Sequence, residues 1–273
     1  MLTESDFPGE QRRALYAASP EATSRPRVSV VIPTLNEERN VGWVLERLPD
    51  VVDEVILVDG RSTDATIAVA REARPDIRVV LESTPGKGAA LRAGFAAARG
   101  DYVVMIDADG SMDPAEIVRF VDALQSGCDL VKGSRFAPGG GTADMSTVRR
   151  LGNGALRAAV NVLYRTNFTD LCYGFIGFRR ERLAALRLDS QGFEIETEMV
   201  ARAVVASLTI AEVASFEAER RHGESHLRAW RDGRRALGTL LRERFILPAS
   251  PVANVPERHL TVVAAEAAEA TQP

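Results

Sequence analysis

From residue 27 onward the apolar positions follow two alternating patterns. Short β-branched runs at 28–33, 54–58, 77–81, 102–106 and 129–131 read as strands buried on both faces. Between them apolar residues recur at helical spacing, as with Val41, Val44, Leu45 and Leu48. This spacing predicts helices opening at Asn36, at Ser62 or Thr63, near Lys87 and at Pro114, where Asn suits an N-cap and Pro a first turn. Strands that alternate with helices predict βαβ units, hence an α/β fold with a mainly parallel sheet and right-handed crossovers. Ligands of such sheets lie beyond the carboxyl ends of the strands.

The second half reads differently. A Gly-rich loop at 138–142 precedes a helical stretch at 147–164. Strands are expected at 171–178 and 208–216, and helices at 194–206 and 227–245. The last helix is Arg-rich and carries a narrow apolar stripe of Trp230, Leu237 and Leu241. Residues 1–25 and 248–273 show no sustained periodicity and are expected to be a disordered lead-in and tail. One domain over 26–247 remains.

Composition removes several functions. The 273 residues carry a net charge of −4, the wrong sign for a dedicated nucleic-acid binder. Two cysteines, Cys128 and Cys172, make neither a disulfide framework nor a zinc pattern, as expected of a cytoplasmic protein. No run approaches the roughly 18 apolar residues that span a bilayer, and the first residues lack a signal-peptide core. The Arg-rich helix could still dock peripherally on an anionic inner membrane face. Of the 34 basic residues, 32 are Arg, so the two lysines, Lys87 and Lys132, stand out.

Two nucleotide signatures are missing. No Gly-rich turn follows the first strand, and the Gly86-Lys87-Gly88 triplet lacks the rest of a phosphate-binding P-loop. Asp107 and Asp109, directly after the fourth strand, are more informative. Two carboxylates at a strand end can share a divalent ion whose shell is completed by substrate phosphates, although Asp is also common as a cap in surface turns.

These aspartates belong to an ordered series. Pro33-Thr34-Leu35-Asn36-Glu37 ends the first strand and Val58-Asp59-Gly60-Arg61-Ser62-Thr63-Asp64 the second. Then come Pro85-Gly86-Lys87-Gly88, Ile106-Asp107-Ala108-Asp109-Gly110, Gly133-Ser134-Arg135, Thr169-Asp170, Gly192-Phe193-Glu194 and Arg220-Arg221-His222-Gly223-Glu224-Ser225. The series resembles family 2 glycosyltransferases of the GT-A fold, especially the dolichyl-phosphate mannose synthase-like branch. The resemblance implies a nucleotide-sugar half at 26–135 merged with an acceptor half at 136–247. It further implies Mg²⁺ or Mn²⁺, a UDP- or GDP-sugar donor, inversion at the anomeric carbon, and a polyprenyl phosphate acceptor.

Carried residue by residue, the resemblance implies nucleoside contacts from Pro33, Leu35, Glu37 and Asp59. Lys87 joins the nucleotide-binding set, Asp107 lies near ribose and metal, and Asp109 is the direct metal ligand. His222 is a further metal candidate. Arg220, with Arg221 and Arg135, would contact phosphate or acceptor groups. The branch often has a Gln two residues after the second Asp, where this chain has Ser111.

The acceptor leaves alternatives open. A phosphate whose second ionisation lies near pKa 6 needs no strong base. A hydroxyl on a small metabolite or glycan needs one, with Asp170, Glu194, Glu196 and Glu198 as candidates. On a helix Glu194 and Glu198 share a face that Glu196 does not. Sugar nucleotidyl transfer would call for a basic Gly-rich loop after the first strand, and a non-catalytic sugar-nucleotide sensor would bind donor without turning it over.

Overall fold

The computed structural model describes residues 25–224 and 227–246, together with the backbone of a strand at Thr261–Val263. Its centre is an eight-stranded sheet in the order β10-β8-β5-β7-β4-β1-β2-β3. The strands are β1 (Val28–Thr34), β2 (Glu54–Asp59), β3 (Arg78–Leu81), β4 (Tyr102–Met105), β5 (Leu130–Ser134), β7 (Ile176–Arg179), β8 (Ile210–Ala214) and β10 (Thr261–Val263). All pair in parallel except β7, which runs antiparallel between β4 and β5. A two-stranded ribbon, β6 (Gly141–Thr142) with β9 (Phe216–Glu217), lies beside it. The α/β architecture and the mainly parallel sheet agree with the hydrophobic pattern.

Alternate strand residues feed two cores, as a pleated sheet requires. Val31, Ile56, Val103, Met105 and Phe178 face one layer, built from α3 (Lys87–Ala97), α5 (Thr147–Tyr164), α6 (Leu183–Leu186), α7 (Ile195–Val205) and α8 (Ala229–Phe245). Val30, Ile32, Leu57, Val104 and Val131 face the other, built from α1 (Val41–Glu46), α2 (Thr66–Ala73) and α4 (Ile117–Gln125). Burial on both sides explains the continuous apolar strand runs.

Several boundaries differ from expectation. Helix α1 begins at Val41 rather than after Asn36, which adopts a left-handed φ of 58°. The Asn36 side chain accepts from the Thr63 N–H (2.8 Å) and so ties the β1–α1 loop to the β2–α2 loop. Helix α2 starts at Thr66, whose N–H donates to the Asp64 carboxylate (3.0 Å). The strand expected at 171–178 is shortened to β7. Leu171, Tyr173 and Phe175 are buried as alternation suggests, but the Leu171 and Cys172 N–H groups donate to the Asn153 side chain instead of a ladder. Strand β10 falls within 248–273, where the sequence suggested no element. Of the expected lead-in at 1–25, Arg25 is described and pairs with Asp53 (2.9 Å) instead of being disordered; residues 1–24 and the rest of that tail lie outside the described residues.

The Gly86-Lys87-Gly88 triplet has a local explanation. A Cβ on Gly86 would sit 2.2 Å from the Gln191 carbonyl oxygen, and one on Gly88 2.4 Å from that of Ser190. The missing side chains let the Gln191 carbonyl cap α3, accepting from the Gly88 (2.8 Å) and Ala89 (3.2 Å) N–H groups. These glycines thus bring the loop before α7 against the start of α3.

Candidate active site

The carboxyl ends of β1, β2 and β4 converge, and the residues singled out there come together. Asp59 is buried and accepts from the Ser62 N–H (2.9 Å). Glu37 is buried, whereas Leu35 is exposed at the rim and Pro33 partly exposed beside it. The Glu37 carboxylate accepts from Asn40 Nδ2 (2.6 Å) and from Arg220 (2.8 Å). The same Arg220 guanidinium reaches Asp109 Oδ2 at 3.0 Å, and the other oxygen, Oδ1, accepts from both the N–H (2.9 Å) and the hydroxyl (2.7 Å) of Ser111. Ser111 therefore orients the Asp109 carboxylate from the position where the branch often has Gln.

Lys87 lies at the start of α3, where the helix dipole alone disfavours a cation. Two carboxylates offset this: Asp107 Oδ1 and Glu196 Oε1, each 2.7 Å from Nζ. Burial works against the ammonium, yet Asp107 and Glu196 hold it above its ordinary pKa. Burial pushes the Asp107 carboxyl up to about 6; Lys87 opposes the shift, and Asp109 and Glu196 add to it. This junction ties the loop after β4, which carries Asp107, to α7, which carries Glu196.

Hard carboxylate oxygens at a strand end suit Mg²⁺ or Mn²⁺, with Arg220 now the cation on Asp109. His222 does not join them: among the described residues no three His, Cys, Asp or Glu side chains converge as a metal cluster. Its backbone carbonyl instead accepts from Asn40 Nδ2 (3.0 Å). Arg221 lies over the Trp43 ring at 4.7 Å.

The structure separates the residues that the sequence grouped as acceptor-side candidates. Asp170 is fully buried, and both its oxygens accept from Arg135, at 2.7 and 3.0 Å. Burial alone would raise its pKa, but Lys132 and Arg135 hold the carboxyl below the usual range. It is enclosed as a structural ion pair, which corrects the expectation of a general base. Arg135 is corrected likewise: its remaining donors go to Glu217 (3.1 Å) and the Cys172 carbonyl (2.7 Å), and it is buried rather than free for phosphate. Glu194 faces a separate polar cavity of about 580 Å³ that also includes Arg235 and Arg242. Glu198 is buried among Arg202 (2.8 Å) and the Ser190 N–H (3.0 Å). Of the four carboxylates, only Glu196 reaches the groove described next.

That groove, about 480 Å³ and mostly apolar, runs between α5 and α8. Val148, Leu151 and Leu156 line one wall and Trp230 and Leu237 the other; Phe193 and Glu196 also line it, with the Arg149 cation. Arg149 is held by Asp144 (3.3 Å) and Glu217 (3.6 Å). The sequence reading missed Glu217 and Glu212, and it singled out Lys132 without giving it a role. Lys132 is completely buried and donates to the Gly133 carbonyl (3.1 Å), while Glu212 accepts from the Thr169 N–H (2.9 Å). Their only sequence signal is a charge inside an apolar strand run.

Comparison with known proteins agrees with this geometry. A model of glycosyl transferase family 2 matches residues 29–187. The polyprenol monophosphomannose synthase of Mycolicibacterium smegmatis is 34% identical over 235 residues, covering 81% of this chain and 88% of its own length. The undecaprenyl-phosphate mannosyltransferase of Micrococcus luteus is 36% identical over 213 residues, 74% of this chain and 87% of its own. Among solved structures, glucosyl-3-phosphoglycerate synthase from Mycobacterium tuberculosis, in complex with Mn²⁺, UDP and phosphoglyceric acid, is 27% identical with a TM-score of 0.66, covering 89% of this chain and 86% of that one. The family match spans more than half of the chain and both curated relatives exceed 30% identity, so this protein is a glycosyltransferase and belongs to glycosyl transferase family 2.

Proposed function

We propose that the protein transfers a sugar from a UDP- or GDP-sugar to a polyprenyl phosphate, with Mg²⁺ or Mn²⁺ and with inversion. The observation that carries the acceptor is the apolar groove between α5 and α8, which leads to Glu196 and Arg149 beside the Lys87 junction. An isoprenoid chain fits its apolar walls, and Arg149 suits a phosphate at its polar end. The two curated relatives support this choice by their names. In this reading 26–135 serves the donor and 136–247 the acceptor, within one catalytic domain.

Pro33, Leu35, Glu37 and Asp59 bind the nucleoside, and Asp107 and Asp109 hold the ion. The ion supplies charge neutralisation for the leaving diphosphate. Arg220 contributes positive charge to the same group, Arg221 is taken up by the Trp43 ring instead, and Lys87 orients Asp107 and Glu196. An acceptor phosphate oxygen attacks the anomeric carbon from the face opposite the diphosphate. The new carbon–oxygen bond forms as the bond to the nucleoside diphosphate breaks, which inverts the centre. No side chain needs to remove a proton, because the phosphate dianion is already nucleophilic at neutral pH. Exposed Leu151 on α5 and exposed Trp230 and Phe245 on α8, a helix that also exposes Arg231 and Arg234, support peripheral docking on an anionic inner membrane face. No helix among the described residues is long and apolar enough to cross a membrane.

The test pairs UDP- and GDP-sugars with undecaprenyl phosphate and with a panel of small hydroxylated acceptors. Label should pass to the lipid phosphate and persist in Glu196→Gln, although at reduced rate. Transfer only to a hydroxyl, abolished in Glu196→Gln while donor still binds, would replace this reading with alcohol glycosylation and Glu196 as base. Asp109→Asn should remove metal-dependent nucleoside diphosphate binding; wild-type affinity indifferent to a chelator would overturn the metal's role.

A further inference from the structure

Residues 218–224 cross the strand ends and carry Arg220, and an unusual set of contacts holds them there. The Ala218 N–H donates to the Ser111 carbonyl (2.8 Å) and the Arg221 N–H to the Asp109 carbonyl (3.2 Å). Asn40 Nδ2, on the turn before α1, donates to the His222 carbonyl (3.0 Å). The Arg221 side chain lies between two features of the other layer. Its guanidinium carbon is 4.7 Å from the Trp43 ring centroid. Its aliphatic stem fills the space above Gly110, where a Cβ would stand 2.5 Å from Arg221 Cδ and 3.4 Å from the Trp43 ring. Gly110 also has φ 74°, so the turn after Asp109 is shaped for glycine twice over, by backbone conformation and by close approach.

Arg221 and Arg220 are adjacent, and the second reaches Glu37 and Asp109 from the anchored backbone. The Arg220 guanidinium pairs with those two carboxylates, while its backbone belongs to the anchored segment. The position of its guanidinium is therefore set by the backbone that Arg221, Trp43 and Asn40 hold.

We propose that Trp43, through the stacked Arg221, is a positioning residue for donor binding that fixes residues 218–224 so that Arg220 meets the donor diphosphate. The inference rests on the donor reading above and adds an aromatic residue of α1 to it. Trp43 does not itself touch donor. Removing the ring or the Arg221 charge frees the segment, and donor binding then bears the entropy of ordering it.

The chain has two tryptophans, Trp43 and Trp230, so Trp230→Phe leaves Trp43 as the single fluorescent reporter. In that background UDP or GDP with Mn²⁺ should change Trp43 emission, with a midpoint equal to the Kd from calorimetry. Arg221→Gln should weaken nucleoside diphosphate binding by about fivefold to tenfold, the scale of a partly desolvated cation–π contact, and shrink the emission change. Trp43→Leu should weaken calorimetric binding similarly, and Trp43→Phe should restore most of it. Arg221→Gln leaves the core untouched, so it answers even if Trp43→Leu fails to fold. Wild-type affinity in Arg221→Gln would overturn this inference alone; no binding of either nucleoside diphosphate to the wild-type chain would overturn the donor reading and this inference with it.

Discussion

Gly174 has no side chain, and the junction of Lys87, Asp107 and Glu196 occupies the space one would fill. A Cβ there would lie 2.7 Å from Glu196 Oε1 and 2.8 Å from Lys87 Nζ. Gly174→Ala is therefore expected to push these groups apart and lower kcat/KM by about 100-fold, the scale of a misplaced site, with the thermal midpoint little changed. Steady-state kinetics beside a melting curve check this, and an unchanged kcat/KM would refute it. Asp170→Asn should do the reverse, acting on stability first. It leaves the buried Arg135 guanidinium facing a neutral amide that can keep only one of the two hydrogen bonds, which costs about 3–5 kcal/mol in urea unfolding. Asp170 has its pKa lowered in the fold, so its stabilisation is complete above the ordinary carboxyl range and is lost as pH falls through the folded value. The acid limb of stability below about pH 4 should be shallower in the variant. At this scale the sequence marked Lys87, Asp107 and Asp109 because each stands in a short motif at a strand end. It misjudged Asp170 because a motif does not tell an enclosed ion pair from an open base. It missed Glu217 because the partner, Arg135, lies 82 positions away and leaves no local pattern.

The carboxylates of α7 show how far element geometry can be read in advance. Residues two apart on a helix point in different directions and residues four apart share a face. Glu196 accordingly turns to Lys87 and the groove, while Glu198 turns to Arg202 and to Arg242 (3.3 Å) on α8. Which face met the cleft depended on tertiary packing and was not legible. Burial pushes the Glu198 carboxyl up to about 7 against its basic neighbours. A carboxyl with a raised folded pKa contributes stability that is present below its ordinary value and fades as pH rises through the folded one. Glu198→Gln should flatten the loss of stability between about pH 4.5 and 7, read from urea midpoints at several pH values. An identical slope in both proteins would show that Glu198 does not titrate there. The start of α1 was misread for a related reason. Asn36 looks like a cap by composition, yet its side chain bonds to Thr63 across the neighbouring loop, a contact that only the parallel pairing of β1 with β2 creates.

At the scale of the whole molecule, the groove and the exposed Leu151, Trp230 and Phe245 lie on the same two helices, α5 and α8. The protein is expected to co-sediment with vesicles rich in anionic lipid at low salt and to be released near 1 M salt, where the Debye length falls to about 3 Å. Failure to sediment at low salt would remove the membrane from the account. The alternation of strands and helices was legible over residues 26–135 because each βαβ unit is local. The antiparallel insertion of β7 was not, since its partners β4 and β5 come from a segment it follows by dozens of residues.

That insertion has a consequence for anyone who would cut or recombine the chain. Strands β4 and β5 are consecutive in sequence but never neighbours in the sheet; β7 separates them and hydrogen-bonds to both. A fragment ending at residue 135 would hold β5 with no strand beside it and β4 with one bare edge. The two fragments should each be insoluble when expressed alone and recover a folded complex only when expressed together. A chimera that exchanges the donor specificity of one relative for another should carry β7 along with β1 to β5, because the seam of this protein runs through its sheet and not along the chain.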